Sequence, residues 1–216
     1  AKAKLPEQGQ AIIIDRPGSQ QSLILAAHLA PPTGIDNNIA IEAMNLTLGG
    51  AFTARVNMNL REDKGWSYGA YTFLQDARGQ RPFMVYAPVQ TDQTGPSLLE
   101  LKKELNGYLG DKPPMAMELE RARLDEVRSL PGQFETAGSV LGSLLSSSRF
   151  NRQYNYPETL VEKYNGLTLD DLNEAAAQVI HPDKLTWLII GDAEKIKDEV
   201  EAAGLGPVSV QSMNSL

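Results

Sequence analysis

β-branched and aliphatic residues fill two short runs near the start of the chain, 11–15 and 22–30, which predicts two strands. The link Arg16-Pro17-Gly18-Ser19 is turn-rich, so a hairpin is the simplest way to join them. Ile35, Ile39, Ala43 and Leu46 then recur at helical spacing. Asp36 is placed to cap that helix and Gly49-Gly50 to stop it in a left-handed turn. A second short helix is expected over 52–63, ending near Gly65. Strands follow over 68–75 and 82–90, joined through a link containing Gly79 as a second hairpin. Leu98, Leu101, Leu105 and Leu109 define one face of a helix with Gly110 just beyond it, and Pro113-Pro114 break the chain. Helices over 115–129 and 134–149 flank Pro131-Gly132, with Phe134, Ala137, Leu141 and Leu144 as the stripe expected to be buried in the second. After an aromatic and polar loop at 151–156, Pro157 opens a short helix. Thr168 with Asp171 reads as a capping box for a helix over 172–180, which His181-Pro182 ends. An apolar strand over 185–191, a polar helix over 193–202 and a patternless tail from 204 to 216 complete the chain.

No repeat recurs at periods of 20 to 50 residues, which sets aside solenoids and propellers. Paired strands, a block of helices and one returning strand make an α+β order, since a doubly wound parallel sheet needs strands and helices to alternate. The expectation is a single domain over residues 1–216, with one mostly antiparallel sheet and helices packed on one face.

Composition narrows the function. A chain of 216 residues with 42% hydrophobic and 22% charged positions is that of an ordinary globular protein. Its net charge of −7 repels phosphate backbones, so nucleic acid is not an expected partner. The absence of cysteine removes thiolate catalysis and Cys-based zinc sites together. No apolar run reaches the roughly 20 residues of a membrane span, so no membrane insertion is expected. Residues 1–10 lack the basic start and apolar middle of an export signal, and the chain is expected to be cytosolic or to be a processed or excised form.

Chemistry-bearing clusters are scarce. His28 and His181 lie far apart, neither belongs to an H-E-x-x-H or H-x-x-E-H string, and no G-x-S-x-G elbow exists, so no self-contained zinc site or serine triad is expected. His28 reads as a partly buried strand residue with a satisfied imidazole, and His181 as a helix-end residue. Gly49-Gly50 lacks the Lys and Ser or Thr of a P-loop. Glu118 and Glu120 with Arg121 and Arg123 read as solvated ion pairs on a helix face.

One segment differs. Arg61 falls in the last turn of the helix over 52–63, Gly65 lets the chain reverse, and Tyr68 opens the following strand, so guanidinium and phenol can face the same space. A permanent cation beside a hydroxyl donor suits a carbonyl, a carboxylate or a developing oxyanion. The alternative is a helix-end arginine and a core tyrosine with no joint role.

This segment resembles the M16 metallopeptidase family, which includes pitrilysin-like proteases, the mitochondrial processing peptidase and the core proteins of the respiratory bc1 complex. Gly49-Gly50, Arg55, Leu60-Arg61-Glu62, Gly65 and Tyr68 fit the family pattern, in which the tyrosine stands seven positions after the arginine. Ala54, Val56 and Trp66-Ser67 depart from it without touching the donor pair. The stretch from Asp15 to Ser22 is also similar to the family's. The resemblance implies the LuxS/MPP-like fold and, within it, the second of two related domains, the one without zinc. It further implies that this chain binds no cofactor, that zinc sits on a partner domain or subunit of M16 type, and that a peptide or unfolded protein is the substrate. Arg61 and Tyr68 would then meet the peptide carbonyl, with Gly65 and Trp66 beside them as further substrate contacts. Activity is expected only with the zinc-bearing half, as part of a zinc metalloendopeptidase in a bacterial periplasm or cytoplasm. A structural subunit like the bc1 core proteins is the competing reading, and a free-standing peptide carrier a third.

Overall fold

The computed structural model describes residues 3–212; the first two residues and 213–216, the end of the tail read as patternless, lie outside the described part. Six strands, β1 (Gln10–Asp15), β2 (Gln21–Ala30), β3 (Tyr71–Leu74), β4 (Arg81–Gln90), β5 (Thr186–Gly191) and β6 (Val208–Ser212), form one mixed sheet in the order β3-β4-β2-β5-β1-β6. Pairings β3–β4, β4–β2 and β2–β5 are antiparallel, whereas β5–β1 and β1–β6 are parallel. The α+β reading with helices on one face is met, and the second hairpin forms as expected.

The first hairpin does not form. β5 inserts between β1 and β2, with Leu188 opposite Ile12 on one side and Leu25 on the other. The sequence of β5 explains this, because Trp187 and Ile189 on one face and Leu188 and Ile190 on the other make it apolar on both sides, as a central strand requires. The link from β1 to β2 needs to cross only about 10 Å, two strand spacings, to pass over its end. There the Arg16 amide donates to the Gly191 carbonyl at 2.8 Å, and Gly18 takes a left-handed φ of 75°. β6 escaped the pattern reading because its side chains are largely exposed and its place is set by the ladder on β1.

Eight helices follow in chain order: α1 (Asn38–Asn45), α2 (Arg55–Asn57), α3 (Thr94–Leu109), α4 (Ala116–Ser129), α5 (Ala137–Arg149), α6 (Leu160–Gly166), α7 (Leu169–Val179) and α8 (Ala193–Ala202). Two carry on as π-helical turns, α1 through Leu46–Gly50 and α2 through Met58–Asp63. Asn37 rather than Asp36 precedes α1, and its amide reaches Gln178 at 2.6 Å instead of capping the helix. Gly49 and Gly50 do not stop α1 by a left-handed turn either, since neither has positive φ. They allow close approach, as a Cβ on Gly49 would lie 2.5 Å from Thr72 Oγ1, and one on Gly50 would lie 2.7 Å from Asn45 Nδ2. The Thr168 box is present, with the Asp171 amide donating to Thr168 Oγ1 at 3.2 Å and the Thr168 amide to Asp171 Oδ2 at 2.8 Å.

The core lies between one sheet face and the helices. Ile13, Ile24, Ala26, Phe83, Val85, Ala87, Trp187 and Ile189 supply the sheet side; Met44, Leu98, Leu101, Leu105, Leu172, Val179 and Ile196 supply the helix side. Each fully buried large side chain contributes about 1.5–3 kcal/mol. Buried Arg81, at the start of β4, is held by Asn38, Thr33 and Asp76 at 2.6–3.2 Å. The expected burial of Phe134, Ala137, Leu141 and Leu144 is not observed: all four are exposed, because α5 turns its small polar side toward the rest of the chain. Among the described residues no helix is long and apolar enough to cross a membrane.

Candidate functional site

The corner formed by residues 49–70 is built from backbone outward. The lysine, glycine and tryptophan that follow the π-helical turn Met58–Asp63 close it, their amides at Lys64, Gly65 and Trp66 donating to the carbonyls of Asn59, Arg61 and Leu60 at 2.9–3.1 Å. Gly65 takes φ 68°, the left-handed conformation the reversal requires. Beyond it the chain is fastened to the end of β4: the Gln90 amide donates to the Trp66 carbonyl at 3.2 Å and Ser67 Oγ to the Pro88 carbonyl at 2.6 Å.

Fully buried Asn57 joins the two ends of this corner. Its amide nitrogen donates to the Phe52 carbonyl at 2.6 Å, and its Oδ1 accepts from the Ala70 amide at 3.1 Å. Asn59 secures the turn from below, donating to Glu100 and Glu104 of α3 at 2.8 and 2.7 Å. Its bond is the largest of the causes that hold the Glu100 carboxyl below the usual carboxylate range.

On this frame Tyr68 stands 89% exposed, which removes the reading of it as a core tyrosine. It sits in the bend before β3, since that strand begins at Tyr71 rather than at 68. Arg61 keeps a side chain 34% exposed, 3.3 Å from Glu62 Oε1, with its guanidinium 4.5 Å above the centre of the Phe52 ring. Trp66 is half-buried against the core, and the Lys64 ammonium stands 5.5 Å from its ring centre. The corner thus offers solvent a cation, a phenol and an aromatic platform.

Phe52, 53% exposed, is the residue that motif reading missed, although an aromatic two positions after a glycine pair was a visible signal. Asn57 gave no such signal, because its role depends on contacts to Phe52 and Ala70.

Arg55 serves the architecture. It holds Glu118 with two bonds of 2.6 and 2.5 Å, donates to the carbonyls of Lys112 and Pro113, and lies 4.8 Å from the Tyr108 ring centre. Glu118 is therefore not a solvated charge, as its helix face suggested, but half of a largely covered ion pair. Arg123 likewise reaches the Leu167 carbonyl as well as Glu120.

The two histidines, remote in sequence, meet with ring centres 5.4 Å apart. His28 is buried in β2; its Nδ1–H donates to the Leu29 carbonyl and its Nε2 accepts from the His181 amide, each at 3.2 Å. Both ring nitrogens are thus used, as expected of a satisfied imidazole. Burial, reinforced by His181, lowers the His28 pKa to about 4. Among the described residues no group of three His, Cys, Asp or Glu side chains could hold a metal ion.

Comparison with known proteins gives the family and the fold. Residues 2–124 match the family described as the peptidase M16 inactive domain. No curated protein matches the chain. Among solved structures, a peptidase M16 inactive domain from Pseudomonas fluorescens is similar with 24% identity and a TM-score of 0.77, over 88% of this chain and 45% of that one. A protease from Helicobacter pylori is 13% identical, with a TM-score of 0.75, over 88% and 46% of the two chains. The periplasmic protease PqqL from Escherichia coli is 14% identical with a TM-score of 0.71, over 86% of this chain and 21% of its own. The chain therefore spans less than half the length of these neighbours, whose likeness establishes the fold. The family match, covering more than half of the residues, establishes descent: the chain belongs to the peptidase M16 inactive-domain family.

Proposed function

We propose that this chain is the substrate-binding, non-zinc half of an M16-type zinc metallopeptidase, and that Arg61 and Tyr68 act on the scissile peptide carbonyl. The observation that carries the reading is Tyr68, a large aromatic at 89% exposure on a loop locked by Asn57 and Ser67. A phenol left in open solvent on a fixed loop serves no core, whereas a hydroxyl presented to a partner is what oxyanion stabilisation needs. The Arg61 guanidinium, propped on Phe52, supplies the cation. A fixed cation and donor facing a metal across a cleft divide the work: zinc on the other half would activate water and polarise the carbonyl, while this pair would take up charge as the carbonyl becomes tetrahedral.

Among the described residues no set suits zinc, and in this reading the metal is held by a partner domain or subunit, with this chain acting in trans to it on peptide or unfolded protein. The test is hydrolysis of a fluorogenic peptide by the zinc-bearing half encoded in the same or the neighbouring reading frame, with and without this chain. Arg61→Ala and Tyr68→Phe should each lower kcat by roughly 10²-fold or more, the effect of losing one oxyanion donor, with zinc content unchanged. Full turnover in both variants would leave the pair merely structural.

A further inference from the structure

Phe52 is a large aromatic with no place in the core. It lies in the turn 51–54 between the π-helical end of α1 and the start of α2, is 53% exposed and stands outside the buried cluster. Its backbone is nevertheless fixed, since fully buried Asn57 donates to its carbonyl at 2.6 Å. A ring that adds nothing to the core, on a backbone held by a buried side chain, makes its contact elsewhere. That contact is the Arg61 guanidinium, 4.5 Å above the ring centre.

Two groups compete for this cation. Glu62 Oε1 stands 3.3 Å from Arg61 Nη1, with both side chains partly exposed. An exposed ion pair holds weakly, and a cation over an exposed ring is held about as well. The two contacts differ in what they leave available. A carboxylate cancels charge and takes up N–H donors, whereas an aromatic face attracts the cation through its quadrupole and leaves the N–H groups free to bond elsewhere. The same arrangement recurs at Lys64, whose ammonium stands 5.5 Å from the Trp66 ring centre.

We infer that Phe52 is a positioning residue: its ring orders the Arg61 side chain before a peptide arrives and keeps the guanidinium from closing down on Glu62. The inference rests on the proposed function for the task of Arg61, and it adds a residue that acts through Arg61 rather than on the peptide. An arginine side chain is long and loses rotamer freedom wherever it is fixed. With the ring beneath it, that ordering is completed in folding; without the ring, it has to be completed in the chemical step, where a preorganised donor is most effective. The loss therefore falls on kcat and leaves KM in place.

The experiment measures hydrolysis of a fluorogenic peptide by this chain combined with the zinc-bearing half. Phe52→Leu should lower kcat about two- to fivefold, the range that a cation over an exposed ring supports, with KM and the melting temperature unchanged. Phe52→Tyr, which keeps an aromatic face, should bring kcat back to within about twofold of the unmodified protein. In the Arg61→Ala background Phe52→Leu should cause no further loss, because two residues that act through one group are not additive. Unchanged kcat in Phe52→Leu while Arg61→Ala is impaired overturns the positioning role. So does an equal fold-loss in both backgrounds, or a rise in KM alone, either of which would make Phe52 a peptide contact in its own right. A second measurement needs this chain only: the NMR signals of the Arg61 Hδ and Hε protons should be shifted upfield by the ring current and should move back in Phe52→Leu. Unshifted Arg61 signals in the unmodified chain overturn the platform. A shift that Phe52→Leu abolishes, together with full turnover in Arg61→Ala, would uphold the platform and overturn the catalytic reading.

Discussion

α5 and α7 start alike and end differently. Each begins with a threonine whose hydroxyl accepts from the amide three residues on, Thr136 from Ser139 at 3.1 Å and Thr168 from Asp171 at 3.2 Å, and each is amphipathic. α7 buries Leu172, Ala175, Ala176 and Val179 against α1 and α3, whereas α5 buries only Ser147 and leaves its leucines in solvent. Local signals thus specify that a helix forms and which of its faces is apolar. What covers that face is a tertiary or quaternary matter, to which the local pattern is blind.

The strongest way to break this comparison is to truncate one leucine on each helix. Leu172→Ala should cost about 2–5 kcal/mol in urea unfolding, as burial and cavity formation dictate, while Leu141→Ala should stay within about 0.5 kcal/mol. Equal losses would mean that α5 packs on this chain in solution.

Acid sharpens it next, since the His181 amide that follows α7 donates to His28, while α5 is tied down by arginines. The folded state lowers the His28 pKa from 6.5 to about 4, so it favours the neutral ring. A proton on Nε2 would face the His181 N–H. The contribution is therefore fully present above pH 6.5 and is lost as pH falls from there toward 4, by up to roughly 3 kcal/mol at 1.36 kcal/mol per pKa unit. Stability measured at pH 7 and pH 4.5 should show a loss in the unmodified chain that His28→Gln reduces; identical pH profiles would remove His28 from the account.

The caps give the smallest effect. Thr168→Ala should cost about 1 kcal/mol of global stability. Thr136→Ala should instead speed amide exchange within α5 and leave the unfolding midpoint in place, because α5 contributes little to the cooperative core. A shift of the midpoint by Thr136→Ala equal to that of Thr168→Ala would contradict the distinction.

Much of the fold was legible because it was local. The pattern in β2, the Thr168 box and the helix over 193–202 depend on residues near one another, and the helix matches α8 to the residue. What failed was non-local: the insertion of β5 between β1 and β2, the ladder that holds β6, and the burial of Arg81 and Glu118 each rest on a partner tens to hundreds of residues away. The candidate site divides the same way. Arg61, Gly65 and Tyr68 lie within one short motif, whereas Phe52 became part of it only once its ring was seen beneath a guanidinium, and Asn57 only through its bonds across the corner.

The missing Cβ of Gly49 has a practical consequence. Any side chain there would meet Thr72 in β3 and push apart the two elements that frame the corner. A library that varies the surface of the corner should leave positions 49, 50 and 57 untouched and diversify 52, whose exposed ring can change while the scaffold behind it holds.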